Sequence, residues 1–402
     1  MSDWKVKSLG ELCEFQRGLT YAKSDEVPVS ENVVLRANNV DLSSNALDLS
    51  DLRFITDAVQ VPAEKKLRKG SLLICTASGS KSHLGKVAYV DDDYGYAFGG
   101  FMGQITPVAG VDGRYLFYVL TSPDYKDFIA ALSDGANINN LKFTDLRQFP
   151  VPVPNIEEQQ RIVAILDEAF EGIATAKTNA EKNLQNAKVV FDSHLQKIVV
   201  TAWNGAETVV LSQLATDISD GDHMPPPKVQ HGLPFITIGN IKKETRTIDF
   251  SDTFKVSREY FDALKPNRKP QCGDVLYTVT GSFGIPVLVD DDTEFCFQRH
   301  IGLIRPKNDL SSAWLYYLLR SPQIFKQAEE GATGTAQKTV SLKVLRGIQV
   351  PKVPMVDQLT YVQKLQALEA KTRVLESVYK RKLAALDELK KSLLHQACSG
   401  QL

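Results

Sequence analysis

Two rhythms of hydrophobic and polar positions alternate along this chain. Short apolar runs such as SLLICT at 71–76 and DVLYTVT at 274–280 are bounded by Gly and Asp turns, which predicts strands in small mixed sheets. Short helices are expected around 113–132 and 312–330. From Glu157 to about Val199, and again from Asp357 to about Cys398, Pro vanishes and Gly172 is the lone glycine. Helix formers dominate both stretches, whose length exceeds an ordinary globular helix.

The second stretch places Leu365, Leu368, Thr372, Leu375, Tyr379, Lys382, Leu386, Leu389 and Leu393 at alternating spacings of three and four, a coiled-coil seam with two polar interruptions. The first gives a looser version through Ile162, Ile165, Ala169, Ile173, Ala176, Ala180, Leu184, Ala187, Phe191 and Ile198. A narrow seam on a helix about 60 Å long at 1.5 Å per residue predicts that the two helices pair with each other. Ile162, Ile173, Leu184 and Phe191 of the first, and Leu365, Leu368, Leu375, Leu386, Leu389 and Leu393 of the second, are the expected pairing residues.

The rhythm repeats because the chain does. Leu9-Gly-Glu-Leu12 recurs as Leu211-Ser-Gln-Leu214, and Gly70-Ser-Leu-Leu73 as Gly273-Asp-Val-Leu276. YLFYVLTSP at 115–123 returns as WLYYLLRSP at 314–322; Asp91 recurs at Asp290 and Ser122 at Ser321, an offset of 199. The expected fold is therefore α+β with a pseudo-two-fold internal repeat. Two globular mixed α/β domains at 1–155 and 201–355 alternate with two long antiparallel helices at 156–200 and 356–402. Pro150, Pro152 and Pro154 hold the chain extended before the first long helix, and Pro351 and Pro354 before the second. Asn155 is placed to cap the first, with Glu157 and Glu158 in its first turn.

Composition narrows the classes. The 402 residues, 43% hydrophobic and 24% charged, describe a globular protein, and the net charge of −1 leaves room for local basic faces. No apolar run is long enough to span a membrane. The N-terminal MSDWKVKSLGELCEF is charged and amphipathic, unlike a secretory signal peptide. Five cysteines (Cys13, Cys75, Cys272, Cys296, Cys398) without a C-x-x-C pair suggest reduced thiols and a cytoplasmic location.

No active site emerges. GSKSHLGK at 79–86 has five residues between its glycines and Val87 after Lys86, so it fails as a phosphate loop. The six histidines lie apart, and nucleophile-elbow and dinucleotide motifs are absent. The Asp91–Asp93 and Asp290–Asp292 triplets read as solvated turns rather than ion sites. The chain is expected to bind no metal and to perform no catalysis.

Binding residues are better represented. Polar, Gly-rich loops in the first repeat carry Arg36, Asn38 and Asn39; Ser78, Ser80, Lys81, Ser82, His83 and Lys86; and Asn137, Asn139, Asn140 and Lys142. The second carries Asn240, Lys242, Lys243 and Arg246; Ser282, Arg299 and His300; and Thr333, Thr335, Gln337 and Lys338. Arg, Lys, Asn and Gln read base edges in DNA, and Ser and Thr hold phosphates. Two similar binding heads joined by two long helices result, suited to DNA or, alternatively, to a protein-interaction scaffold.

VPVP at 151–154 followed by Glu158-Gln159-Gln160, the turn-like Gly70 and Gly273 before a strand, and LLHQACSG at 393–400 resemble the specificity subunit of type I restriction–modification systems over essentially the whole chain. The second helix entry departs slightly, with Pro351-Lys-Val-Pro354 and Asp357-Gln358. The resemblance implies two target-recognition domains, each binding half of a split double-stranded DNA target. It implies helices that act as a ruler for the gap and dock two methyltransferase subunits. S-adenosylmethionine would belong to those partners, as would ATP and Mg²⁺ to restriction subunits where two of them join. The chain itself would hold no cofactor and touch no membrane.

Overall fold

A computed structural model describes residues 4–80, 83–133, 140–223, 226–335 and 337–402. The chain divides into two compact units, residues 1–181 with 381–402, and residues 182–380. Each holds one head and part of both long helices.

In the first unit a four-stranded antiparallel sheet has the order Cys13–Arg17, Met102–Pro107, Leu72–Cys75, Val87–Tyr89. The run Leu72–Cys75 is buried on both sides, and alternation sends its residues to different layers. Leu72 and Ile74 face the helical layer, with Tyr115, Leu116 and Ile162. Leu73 and Cys75 face a second, smaller sheet through Val33, Leu35 and Phe98. That sheet runs Glu26–Val27, Arg53–Ile55, Asn32–Leu35, Ala97–Phe98, with the last pair parallel.

The second unit rebuilds this plan. Its central sheet is Ala215–Asp220, Ile301–Pro306, Val275–Thr278, Pro286–Leu288, again antiparallel. Val275 and Tyr277 turn toward Trp314 and Leu365, while Leu276 turns toward Ile236 and Phe297. Gly18 and Gly221 occupy one equivalent place at the end of the first strand of each central sheet, where a Cβ would collide with the backbone carbonyl of Gly99 or Phe297. That close approach admits only glycine.

Each head is closed by a two-stranded antiparallel ribbon, Lys5–Ser8 with Pro150–Val153 and Glu207–Val210 with Gln349–Lys352. The ribbon's second strand carries the prolines, tolerated on an edge where no ladder hydrogen bond is lost. The chain then enters the long helices Ile156–Trp203 and Met355–Ser399. Asn155 caps the first, its side-chain oxygen accepting from the Glu158 N–H at 2.9 Å.

The long helices pack together and run antiparallel. In the first unit Ile162 and Leu166 share a core with Leu394 and Ala397, and Lys177 Nζ reaches Asp387 at 2.6 Å. In the second, Phe191, Leu195 and Val199 join Val362 and Leu365. Ala180 and Ala187 are buried, as expected of small residues at a close helix contact. The register of the second helix differs from the expected heptad seam: Leu375 and Leu389 are 44% and 47% exposed. Burial follows Leu365, Leu368, Thr372, Glu376, Tyr379, Leu383, Leu386, Lys390 and Leu394 instead. The cause is geometric. An α-helix turns in 3.6 residues, so its inward face drifts off a 3.5-residue pattern within a few turns. Among the described residues, no helix is long and apolar enough to cross a membrane.

Candidate nucleic-acid interface and head–helix joints

Loops meet at one end of each central sheet because the backbone ties them there. In the first head the N–H groups of Thr76 and Ala77 donate to the Phe101 carbonyl, the Leu141 N–H donates to the Thr76 carbonyl at 2.6 Å, and the Leu19 N–H donates to Phe98. The second head matches: Val279 donates to His300, Val340 to Val279, Gly281 to Lys338 and Arg299 to Asp222. The same three loops and turn therefore form a polar rim in both heads.

On this rim Ser80, Asn140 and Lys142 of the first head are exposed, with Ser78 and His83 half-buried. In the second, Ser282, Arg299, Thr333, Thr335, Gln337 and Lys338 are exposed and His300 is half-buried. Burial, then a neighbouring cation (Lys86 or Arg299), pushes both imidazoles below the usual histidine range. Both shifts favour the neutral ring, which can donate from one nitrogen and accept at the other. Lys81, Ser82, Asn137 and Asn139 lie outside the described residues.

Other sequence candidates are committed elsewhere. Asn39 and Asn240 are buried and make one contact twice. Asn39 Oδ1 accepts from the Arg36 N–H while its Nδ2 donates to the carbonyls of Asp48 and Asp51. Asn240 does the same with Thr237, Asp249 and Asp252. Lys86 is buried with Nζ donating to the Val40 carbonyl. Among the described residues, these three side chains are buried and bonded within the protein. Arg36 pairs with Asp51 at 3.1 Å and Lys242 with Asp249 at 2.9 Å, while Asn38 and Lys243 are exposed beside them. Arg246, in a left-handed turn position (φ 55°), lies in a cleft with Tyr316, Tyr317 and Glu369. Burial and the charge of Arg320 lower its pKa.

Phe101 was not among the sequence candidates, yet it is 73% exposed on the rim of the first head. The repeat offset of 199 places it opposite His300, and that alignment was the available signal.

Each head also joins its long helix through a carboxylate. Asp167 accepts from the Tyr118 hydroxyl and from Arg114 at 2.6 Å. Glu369 accepts from the Tyr317 hydroxyl and from Arg320, both at 2.7 Å, with Arg373 at 3.1 Å. Burial alone would raise the Glu369 pKa, but Tyr317 and the arginines outweigh it and hold the carboxyl below its ordinary 4.5. A lowered carboxyl contributes stability above its unfolded pKa that is lost as pH falls through the folded value. Urea midpoints of wild type and Glu369→Gln are accordingly expected to differ most above the ordinary carboxylate pKa and to converge as pH falls below it. A constant difference on both sides of that pKa would remove the ionised carboxylate from the joint.

Among the described residues, no group of three or more His, Cys, Asp or Glu is placed to hold a metal ion. The five cysteines are free thiols.

The duplicated heads and shared helices have counterparts in known proteins. A family model described as the type I restriction modification DNA specificity domain matches residues 1–186 and 216–382. The StySPI specificity subunit of Salmonella potsdam is 24% identical across 99% of this chain and 89% of its own length. The EcoKI specificity subunit of Escherichia coli (strain K12) shows the same 24%, 99% and 89%. Among solved structures, a chain of a type I restriction–modification system has a TM-score of 0.81 at 20% identity, covering 99% of this chain and 98% of that one. The HsdS subunit from Thermoanaerobacter tengcongensis gives 0.64 at 19%, covering 100% and 98%. With the family model matching both halves, the chain belongs to the type I restriction–modification DNA specificity family, as a specificity subunit.

Proposed function

We propose that each rim reads one half of a bipartite double-stranded DNA target, while the long helices set the gap between the halves. The carrying observation is that both heads build the same rim at the same end of the same sheet, from residues that differ. Equivalent frames with different side chains suit two half-sites of different sequence. The reading residues are those left exposed or half-buried on the rim: Ser78, Ser80, His83, Asn140 and Lys142, then Ser282, Arg299, His300, Thr333, Thr335, Gln337 and Lys338. Phe101 joins them as an apolar group able to contact a thymine methyl or a base step.

The methyltransferase subunits dock on the long helices, where Val189, Val190, Val374, Leu375 and Val378 are exposed. Such apolar residues on a helix face fit partner helices. Two of these partners supply S-adenosylmethionine chemistry; restriction subunits, where present, supply ATP and Mg²⁺. This chain acts in the cytoplasm as the non-catalytic reader.

The test is base-resolved methylation of a host genome carrying this chain with its methyltransferase, compared with the methyltransferase alone. A split motif that appears only with the chain is the expected result. Methylation independent of the chain defeats the reading. Absence of methylation from a complex that does co-purify moves the heads to protein contacts instead.

A further inference from the structure

We propose that Gln159 and Gln358 are positioning residues that lock each head to its long helix, and so hold the half-site gap to one value. This rests on the split-target reading above.

Both side chains sit in the first turn of a long helix and are buried, at 0% and 2% exposure. Gln159 Oε1 accepts from the Asp112 N–H at 2.8 Å, and its Nε2 donates to the carbonyls of Gly110 at 3.2 Å and Pro154 at 2.9 Å. Gln358 Oε1 accepts from the Ser311 N–H at 2.8 Å, and its Nε2 donates to Asp309 at 2.9 Å and Val353 at 2.7 Å. One amide thus bridges the head's backbone and the chain entering the helix, using both its donor and acceptor ends.

What the glutamines grip matters. Asp112 and Ser311 are the N-cap residues of the head helices Gly113–Val119 and Ser312–Leu319, their side chains accepting from the first-turn N–H groups. At the far end of the same helices, Tyr118 and Tyr317 donate to Asp167 and Glu369. Each head helix is therefore held at both ends to one long helix. Along that helix the two holding points lie about 12 and 16 Å apart at 1.5 Å per residue. The apolar core that each head shares with its long helix, Tyr115 and Leu116 with Ile162 and Trp314 with Leu365, is non-directional and leaves the angle between them to the polar contacts. Two separated ones resist rotation, and a swivelling head would tolerate half-sites at more than one distance.

The internal repeat supplies a comparison. The glutamines, the N-caps and the tyrosines keep the offset of 199. The carboxylate does not, moving from Asp167 to Glu369, and the arginine moves from before the tyrosine to after it. The two-point attachment is the same in both units although its second point is built from displaced residues. Simple satisfaction of a buried loop explains the glutamines alone, and not their pairing with that second point.

The test uses the full chain with its methyltransferase subunits. Methylation is read base by base for wild type, Gln159→Leu and Gln358→Leu at the cognate gap and at gaps one base pair longer and shorter. In the variants the half-site bases stay the same, and methylation at the off-length gaps rises about tenfold relative to the cognate gap, the scale of a lost buried hydrogen-bond set. A variant that keeps one gap and merely methylates less at every site overturns the proposal, as does relaxed base choice with a strict gap. Should the leucine variants not assemble, Asp167→Ala and Glu369→Ala remove the acceptor, and with it every side-chain hydrogen bond described at the second holding point. The same readout then decides, and a strict gap overturns it. If wild type itself directs no split motif, the split-target reading has failed, which the variants cannot mimic.

Discussion

Inserting four residues into each long helix, after Glu181 and after Lys380, is expected to lengthen the recognised gap by about two base pairs while leaving both half-sites unchanged. Four residues add about 6 Å at 1.5 Å per residue, against roughly 3.4 Å per base pair. They also rotate the helix beyond the insertion by about 40°, whereas two base pairs turn the duplex by roughly 70°, so a modest twist remains to be absorbed. Both helices must change together, since Lys177 pairs with Asp387 on one side of the insertion and Phe191 shares a core with Leu365 on the other. A one-sided insertion would slip those partners by a full turn. At the original gap, methylation should fall by at least about a hundredfold, because a displaced head loses several base contacts worth about 1–3 kcal/mol each. Sequencing the methylated motif reads gap and half-sites at once. An unchanged gap in an assembled complex would mean that the helices are not the ruler.

Removing both cations from the rim of the second head, in Arg299→Ala with Lys338→Ala, is expected to weaken DNA binding about a hundredfold near 0.2 M salt. Both side chains are exposed. Lys338 reaches Glu329 at 3.6 Å and Arg299 reaches His300 at 3.5 Å, both long contacts, so the fold loses little. Melting should shift by no more than about 0.5 kcal/mol in stability. If each cation neutralises one phosphate, the slope of log affinity against log salt becomes shallower by about 2. Weaker binding with an unchanged slope would instead assign the pair to base edges. Undiminished affinity would take this rim out of the interface.

The repeat, the two long helices and the proline breaks before them were legible because they are local: helix formers without Gly or Pro, and apolar runs between turns, are properties of neighbouring residues. The offset of 199 carried the architecture further, since one chain with two copies of a unit builds the unit twice. The pairing register was not legible in the same way. Leu375 and Leu389 fit a heptad on paper, but a 3.6-residue turn carries them outward. Residue type by itself also did not show how the candidate residues are held. Asn39, Asn240 and Lys86 have the chemistry of DNA readers, yet they are buried with their side chains bonded inside the protein. Phe101, with no polar atom to attract attention, stands in the open. Gln159 belonged to a recognisable helix-entry motif, but nothing in the motif says that its amide closes on Asp112, a residue 47 positions away in the chain. The amino-acid order alone determined which segments are helix or strand and that the protein is built twice, because backbone preference and periodicity act over a few residues. Which polar side chains remain free to meet a ligand was decided only by the tertiary structure, because burial and hydrogen-bond partners come from segments far apart in sequence.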